Sequence, residues 1–396
     1  MVATTPIQRP SAGTDGSATA EDGVGSAVLR RTAFRPPMRS ITASASSVEN
    51  CIESATSSPT TSNGRYARSG GTGVWSNPSN VYSANGVYAS CALGGEQKSK
   101  YLRAGGFAFA AMPDDALIRG VVVSIRRFAA GDAGIVEASV KLAKEDYIDF
   151  EERGTGVAVG NTLATVQYGG ANDLWGEDYA VPSLFKASNF GVVVGYNNTA
   201  SGADIEATVY VDHIQVTIYY DEAPDCSGLS EVSAWAGASG SGYGWTNPTY
   251  AAGAPDGLTA GRVSPVSAAH NYLTCSDFAL ATIPSNATIL GVRVTVRCTV
   301  SGNCQRWHYL QLVDGSVIVG RGKWPFVESD NTTLRDREYG HCEDLWPQSD
   351  PGPSNPPTPA MFNDGTFKVI ISLENHQATG DVSTNIDGIK VTVWYE

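Results

Sequence analysis

Residues 101–127, YLRAGGFAFAAMPDDALIRGVVVSIRR, align without a gap to residues 272–298, YLTCSDFALATIPSNATILGVRVTVRC, with 12 of 27 positions identical. Composition alone gives about two identities over such a length. Three further blocks recur in the same order. W-x-N-P stands at Trp75–Pro78 and at Trp245–Pro248, each followed by a turn dipeptide, Asn85-Gly86 or Asp256-Gly257. Y-G-x-x-x-D-L-W stands at Tyr168–Trp175 and at Tyr339–Trp346. VDHIQVTIYY (211–220) and IDGIKVTVWY (386–395) close the two copies. The chain therefore reads as a tandem duplication of a unit of about 160 residues.

The blocks read as strands. In IRGVVVSIRR, Ile118, Gly120, Val122, Ser124 and Arg126 share one face, and Val121, Val123 and Ile125 the other. In VDHIQVTIYY, strict alternation puts Val211, His213, Gln215, Thr217 and Tyr219 on one face. Asp212, Ile214, Val216, Ile218 and Tyr220 fall on the other. One polar and one apolar face is the pattern of an antiparallel sandwich. No amphipathic helix of 12 residues is evident. The expected fold is all-β: two tandem homologous antiparallel β-sandwich domains, jelly-roll-like, behind an extended N-terminal arm.

Composition agrees. The chain has 396 residues, 42% of them hydrophobic, with 43 Gly and 20 Pro, the balance of a turn-rich β protein. Its net charge of −13 disfavours nucleic-acid phosphates. No stretch approaches the roughly 20 apolar residues of a membrane span. Residues 1–25 lack an apolar run of the secretory kind, so export by the general route is not expected.

Residues 1–65, rich in Ser, Thr, Ala and Gly, read as an extended arm. The domains are then expected at 66–221 and 235–396, joined by a linker at 222–234. Residues 1–41 hold five Arg against Asp15, Glu21 and Asp22, a basic balance opposite to that of the body. Arg30, Arg31, Phe34, Arg35 and Arg39 are the expected partner contacts of the arm, since cations and small apolar groups on a flexible segment suit an acidic partner surface.

Candidate chemistry is sparse. Asp173 and Asp344, in the matching D-L-W motifs, are candidate acids or calcium ligands, but Asp before an apolar pair more commonly caps a turn through its own backbone. Trp75, Trp245, Trp175 and Trp346 suit either sugar stacking or the core, and the core reading is preferred because they recur inside shared structural blocks. Asn85-Gly86, Asp256-Gly257, Asp212 and Asp387 suggest at most a structural calcium site of the jelly-roll kind. Cys298, Cys304, His308, His341 and Cys342 are the one Cys/His concentration. Their spacing matches no standard zinc pattern, and packing or a Cys298–Cys304 disulfide is the simpler reading. Seven cysteines at unmatched positions are expected to be mostly reduced. No nucleophile, phosphate-binding or dinucleotide motif is present. Neither a catalytic set, a metal nor a cofactor is expected.

The repeated blocks resemble a recurrent domain of tailed-bacteriophage structural proteins. That domain carries an early W-x-N-P followed by D-G or N-G, then F-x-F-x-x-P-x-x-A-x-I-x-G, a G-G-x-x-D-L-W-G segment and a terminal V-D-x-I-x-[IV]-T-[IV]-Y-Y. Here these are Trp75–Pro78, Phe107 to Gly120 (with three residues, not two, between Phe109 and Pro113), Gly169–Gly176 and Val211–Tyr220. The resemblance covers both domains. The second departs from it, with Pro347 in place of Gly176 and Gly340-His341 in place of the double Gly. The resemblance implies a virion component and does not say which one. Tandem rigid sandwiches behind a tethering arm suit a non-enzymatic capsid decoration or head-fibre-like accessory that contacts other virion proteins, with a homo-oligomer also compatible, and the lack of a secretory segment fits assembly in the bacterial cytoplasm. The alternatives are a tail or baseplate component, or a pair of modules that bind host-surface glycan. Nucleic-acid and membrane partners are not expected.

Overall fold

The computed structural model describes residues 53–396 apart from 132–133, 145–150, 177–179, 203–204, 242–243, 266–271, 302–304, 324–325, 328–332, 347–355 and 376–380. For residues 241, 305–309, 321, 326–327 and 374 it describes the backbone alone. The arm residues Arg30, Arg31, Phe34, Arg35 and Arg39 therefore lie outside the described residues.

The first half contains β1 (Glu53–Ser57), β2 (Thr61–Tyr66), β3 (Gly71–Gly73), β4 (Ala89–Gly94), β5 (Lys98–Ser99), β6 (Tyr101–Gly105), β7 (Leu117–Gly131), β8 (Ile135–Lys144), β9 (Ala164–Gly170), β10 (Phe190–Asn198) and β11 (Glu206–Asp221). The helix α1 (Pro182–Lys186) precedes β10. The second half contains β12 (Ser230–Trp235), β13 (Ala238–Ser241), β14 (Ala260–Ser264), β15 (Leu273–Ser276), β16 (Ile289–Val300), β17 (Gln305–Asp314), β18 (Val317–Lys323), β19 (Phe326–Val327), β20 (Arg335–Tyr339), β21 (Phe367–Asn375) and β22 (Val382–Tyr395). There α2 (Pro359–Asn363) precedes β21.

Each half holds a five-stranded and a six-stranded sheet. The five-stranded sheets have the orders β1-β11-β7-β9 and β12-β22-β16-β20, with β4 and β14 pairing to β11 and β22. They correspond strand for strand. The six-stranded sheets share β2-β6-β10 and β13-β15-β21, extended by β8 on β10 and by β17 on β21. Beyond that they differ: β18 and β19 pair with β17 only in the second half. Among the described residues, strand pairing is antiparallel except between β3 and β5. Each half is a β-sandwich with its own hydrophobic core, one drawn from Ala55 to Tyr220 and the other from Ala234 to Val393.

Two expectations need correction. The first sandwich starts before residue 66, because β1 and β2 lie in the segment assigned to the arm and pair with β11 and β6. Likewise β12 begins at Ser230, inside the expected linker. Composition misleads here because β1 is an edge strand that buries only Ala55, so a run of Ser and Thr suffices.

The second correction concerns strict alternation in VDHIQVTIYY. Val211 and Asp212 are both fully buried, because a β-bulge shifts the register between Val211 and His213. The second copy has a shift at the matching place, where Arg297 opposes Gly388 and Cys298 opposes Ile386. The bulge turns Asp212 and Asp387 away from solvent, and both carboxylates bind turn amides there.

Candidate functional site

The D-L-W motif is a turn held from three sides. Asp173 Oδ1 accepts from the amide of Trp175 at 2.8 Å, and Asp344 Oδ1 accepts from Trp346 at the same 2.8 Å. Both tryptophans sit in the left-handed region, φ 57° and 54°, where a bulky side chain is an outlier that needs support. The indoles supply it. Trp175 Nε1 donates to Val121 O and Trp346 Nε1 to Val292 O, each at 2.9 Å. Gly169 and Gly340 make this possible. A Cβ at either would lie 2.2 Å from the same Val121 or Val292 carbonyl oxygen, and both have positive φ.

Both carboxylates are also ion-paired. Arg153 binds Asp173 through Nε at 2.9 Å and Nη2 at 2.6 Å, and Lys323 Nζ donates to Asp344 Oδ2 at 2.7 Å. Both cations also lie over the indoles, Arg153 at 5.8 Å from the Trp175 centroid and Lys323 at 4.7 Å from that of Trp346. Burial lowers the pKa of Lys323, and Asp344 opposes that shift.

W-x-N-P is also architectural. Trp75 and Trp245 are buried, Asn77 and Asn247 take left-handed φ of 50° and 51°, and Pro78 and Pro248 open short 3₁₀ turns. Asp212 Oδ1 accepts from the Gly86 amide at 2.9 Å, and Asp387 Oδ1 from the amides of Asp256 and Gly257 at 3.1 and 3.0 Å. The second oxygen of each faces an arginine, Arg126 at 3.3 Å or Arg297 at 3.5 Å. These carboxylates hold the N-G and D-G turns that the suggested calcium site was built on.

One pair of cysteines departs from expectation. Cys226 of the linker is bonded to Cys342 beside the second D-L-W turn, with Cα atoms 5.8 Å apart. The bridge joins linker to domain and has no counterpart among the described residues of the first copy, while Cys91 and Cys275 are buried thiols as expected. Cys342 is thereby removed from the Cys/His group. Cys298 is buried in the core, and Cys304 and the His308 side chain lie outside the described residues. His341 Nδ1 accepts from the amide of Glu343 at 3.2 Å, and burial lowers its pKa.

Two further features were not anticipated. In the first sandwich Arg127 and Glu137 form a buried pair, with Arg127 Nη2 2.8 Å from Glu137 Oε2 and Tyr168 Oη bonded to that same oxygen. Burial and the Glu137 bond raise the pKa of Tyr168. The second copy has Cys298 where the first has Arg127, so the duplicated sequence gave no warning of it.

The other feature is an aromatic cluster on the outer face of the five-stranded sheet. Phe128 and Tyr210 are cross-strand partners on β7 and β11, with ring centroids 4.7 Å apart and planes at 10°. Tyr88 meets both edge-on, at 5.1 and 5.9 Å. All three are partly exposed. At the same register the second copy has Thr259, Thr299 and Asn385, and Asn385 Nδ2 donates to Thr299 Oγ1 at 3.2 Å. Alternation places Phe128 and Tyr210 on the solvent face, so aligning the two copies position by position reveals the cluster.

A cleft of about 980 Å3 separates residues 114–117 and 181–186 of the first sandwich from Arg293, β20 and His341 of the second. Its charges are mixed, with Lys186 paired to Asp114 and Arg293 to Glu338.

No family model matches the chain, and no curated protein matches it. Among solved structures, the tandem CBM22-1–CBM22-2 domain of Paenibacillus barcinonensis Xyn10C is similar over 88% of this chain and 99% of its own, at 10% identity and a TM-score of 0.24. A protein of Parabacteroides distasonis is similar over 86% of this chain and 99% of its own, at 9% identity and a TM-score of 0.19. These values are too low for either protein's properties to bear on this chain. Among the described residues no helix is long and apolar enough to cross a membrane.

Proposed function

We propose that the chain is a non-enzymatic structural protein of a tailed-bacteriophage virion, a capsid-decorating or head-fibre-like accessory held by its N-terminal arm. The observation that supports this reading most directly is the use made of the repeated motif residues. In both copies Asp173 and Asp344 cap a turn and pair with a cation, and the motif tryptophans lie in the cores. The motifs that carry the resemblance to phage structural domains are thus framework in both copies, as a projecting scaffold requires. The basic arm is suited to an acidic partner surface, and ordering it costs about 1–2 kcal/mol per residue, which an extensive contact can offset. A disulfide suits a particle released from the reducing cytosol.

The experiment is localisation of the full chain in purified particles by whole-particle reconstruction, beside a truncation lacking residues 1–45. The truncation should stay folded and be absent from particles. Normal incorporation would move the attachment to a sandwich, a position in the tail would favour the baseplate alternative, and absence of the full chain from every particle overturns the virion reading. A folded Asp173→Asn variant should be incorporated normally.

A further inference from the structure

The rings of Tyr88, Phe128 and Tyr210 are not needed by the fold. The second sandwich builds the same sheet with Thr259, Thr299 and Asn385 at these places. In the first copy Phe128 and Tyr210 of β7 and β11 and Tyr88, just before β4, form a ridge beside the row where Ser90, Tyr210 and Phe128 stand opposite one another. The next row along is Ala92, Thr208 and Ala130. Small side chains therefore floor the face beside the ridge. Two strand spacings of about 4.8 Å give the row a width of about 10 Å, enough for one or two sugar rings.

We propose that this ridge binds a neutral saccharide, with the C–H face of a pyranose stacked on the aromatic surface. The hydroxyls of Tyr88, Tyr210, Ser90 and Thr208 stand beside the rings as hydrogen-bonding groups. Charge selects the ligand class. The chain carries −13 overall, and on this face Arg126, on the same side of β7 as Phe128, is matched by Asp212 at 3.3 Å. A locally balanced face within an acidic protein suits an uncharged polyhydroxyl ligand and gives an anionic polymer no unmatched cation. An aliphatic protein partner would find Ser, Thr and Ala around the rings, not Leu, Ile or Met. The site belongs to the first sandwich alone, which fits a duplication whose copies have diverged on their outer faces.

The test uses the full chain on a glycan array carrying neutral and anionic bacterial polysaccharides and oligosaccharides. Calorimetric titration follows with the neutral oligosaccharide that gives the strongest signal. The variant Tyr88→Thr, Phe128→Thr, Tyr210→Asn installs the residues that the second sandwich already folds with. It should keep the wild-type melting temperature to within a few degrees while affinity falls at least about tenfold, the scale of one or two stacking contacts. Trp235→Ala on the second sandwich should leave binding unchanged. Should the triple variant not fold, Tyr210→Asn alone carries the comparison. Binding to no neutral glycan, binding confined to anionic glycans, or unaltered affinity in the folded variant each overturns the proposal. The readout is on isolated protein, so its failure leaves the virion reading untouched.

Discussion

The indole N–H of Trp175 donates to the carbonyl of Val121 at 2.9 Å, and the bond from Trp346 to Val292 repeats both that length and the 54-residue separation. Each bond joins the D-L-W turn to the long strand next to it, and each ring is essentially inaccessible, at 0% and 1% exposure. Replacing either with Ala removes a large core side chain and frees a strand carbonyl. Trp175→Ala and Trp346→Ala should each cost about 3–5 kcal/mol. Denaturant unfolding of the two variants checks this, and a loss below about 1 kcal/mol in both would mean that the turn is held by the Asp and cation alone.

Why these parts were legible in the sequence, and others not, follows from what repeats. The duplication, the dry faces of β7 and β11 and the architectural use of D-L-W all rest on residues present twice. The bulge at Asp212 was not visible, because alternation assumes one residue per position and nothing in the letters marks the extra one. β1 was missed because an edge strand needs only one buried residue. The Arg127–Glu137 pair and the Cys226–Cys342 bridge belong to one copy or to the linker, so repetition could not expose them, whereas the aromatic ridge shows only as a difference between the aligned copies.

The bridge leads to a second prediction. It closes a loop with a sequence separation of 116. Chain-entropy arguments put such a link at about 4–5 kcal/mol, and measured values commonly fall nearer 2–4. Cys226→Ser should lower the unfolding free energy of the second sandwich by about 2–4 kcal/mol. Reduction of the wild type with dithiothreitol should bring its melting curve onto that of the variant, leaving the first sandwich's transition in place. Identical melting with and without reductant would show that the bridge contributes nothing.

A third prediction concerns Arg127 and Glu137, whose side chains are 6% and 0% exposed. Removing one partner leaves an uncompensated charge in the core. Glu137→Leu should cost about 3–5 kcal/mol, whereas Arg127→Met with Glu137→Leu should recover most of that loss. A double-mutant cycle measures the coupling. Additive losses would mean that Tyr168 and the neighbouring polar groups, and not the opposite charge, satisfy each partner.

Acid sensitivity is the fourth expectation, and its sign follows from His213 and His341. Burial is the largest cause of a lowered pKa at both, opposed by Asp212 at the first and by Asp344 at the second. Each ring is already engaged in a hydrogen bond, His213 Nε2 with Ser58 Oγ at 2.9 Å and His341 Nδ1 with the Glu343 amide. Protonation at Nδ1 of His341 would break the second of these. With the folded pKa below the unfolded value of 6.5, the unfolded chain takes up protons first as the pH falls. Stability from these groups is therefore complete above about pH 6.5 and is lost progressively as the pH drops through the folded value. The melting temperature should fall between about pH 7.5 and 5.5, before most carboxylates titrate. His213→Gln with His341→Gln should flatten that slope. Thermal unfolding across the range decides it: a melting temperature that rises on acidification would show that the neighbouring carboxylates outweigh burial at both rings.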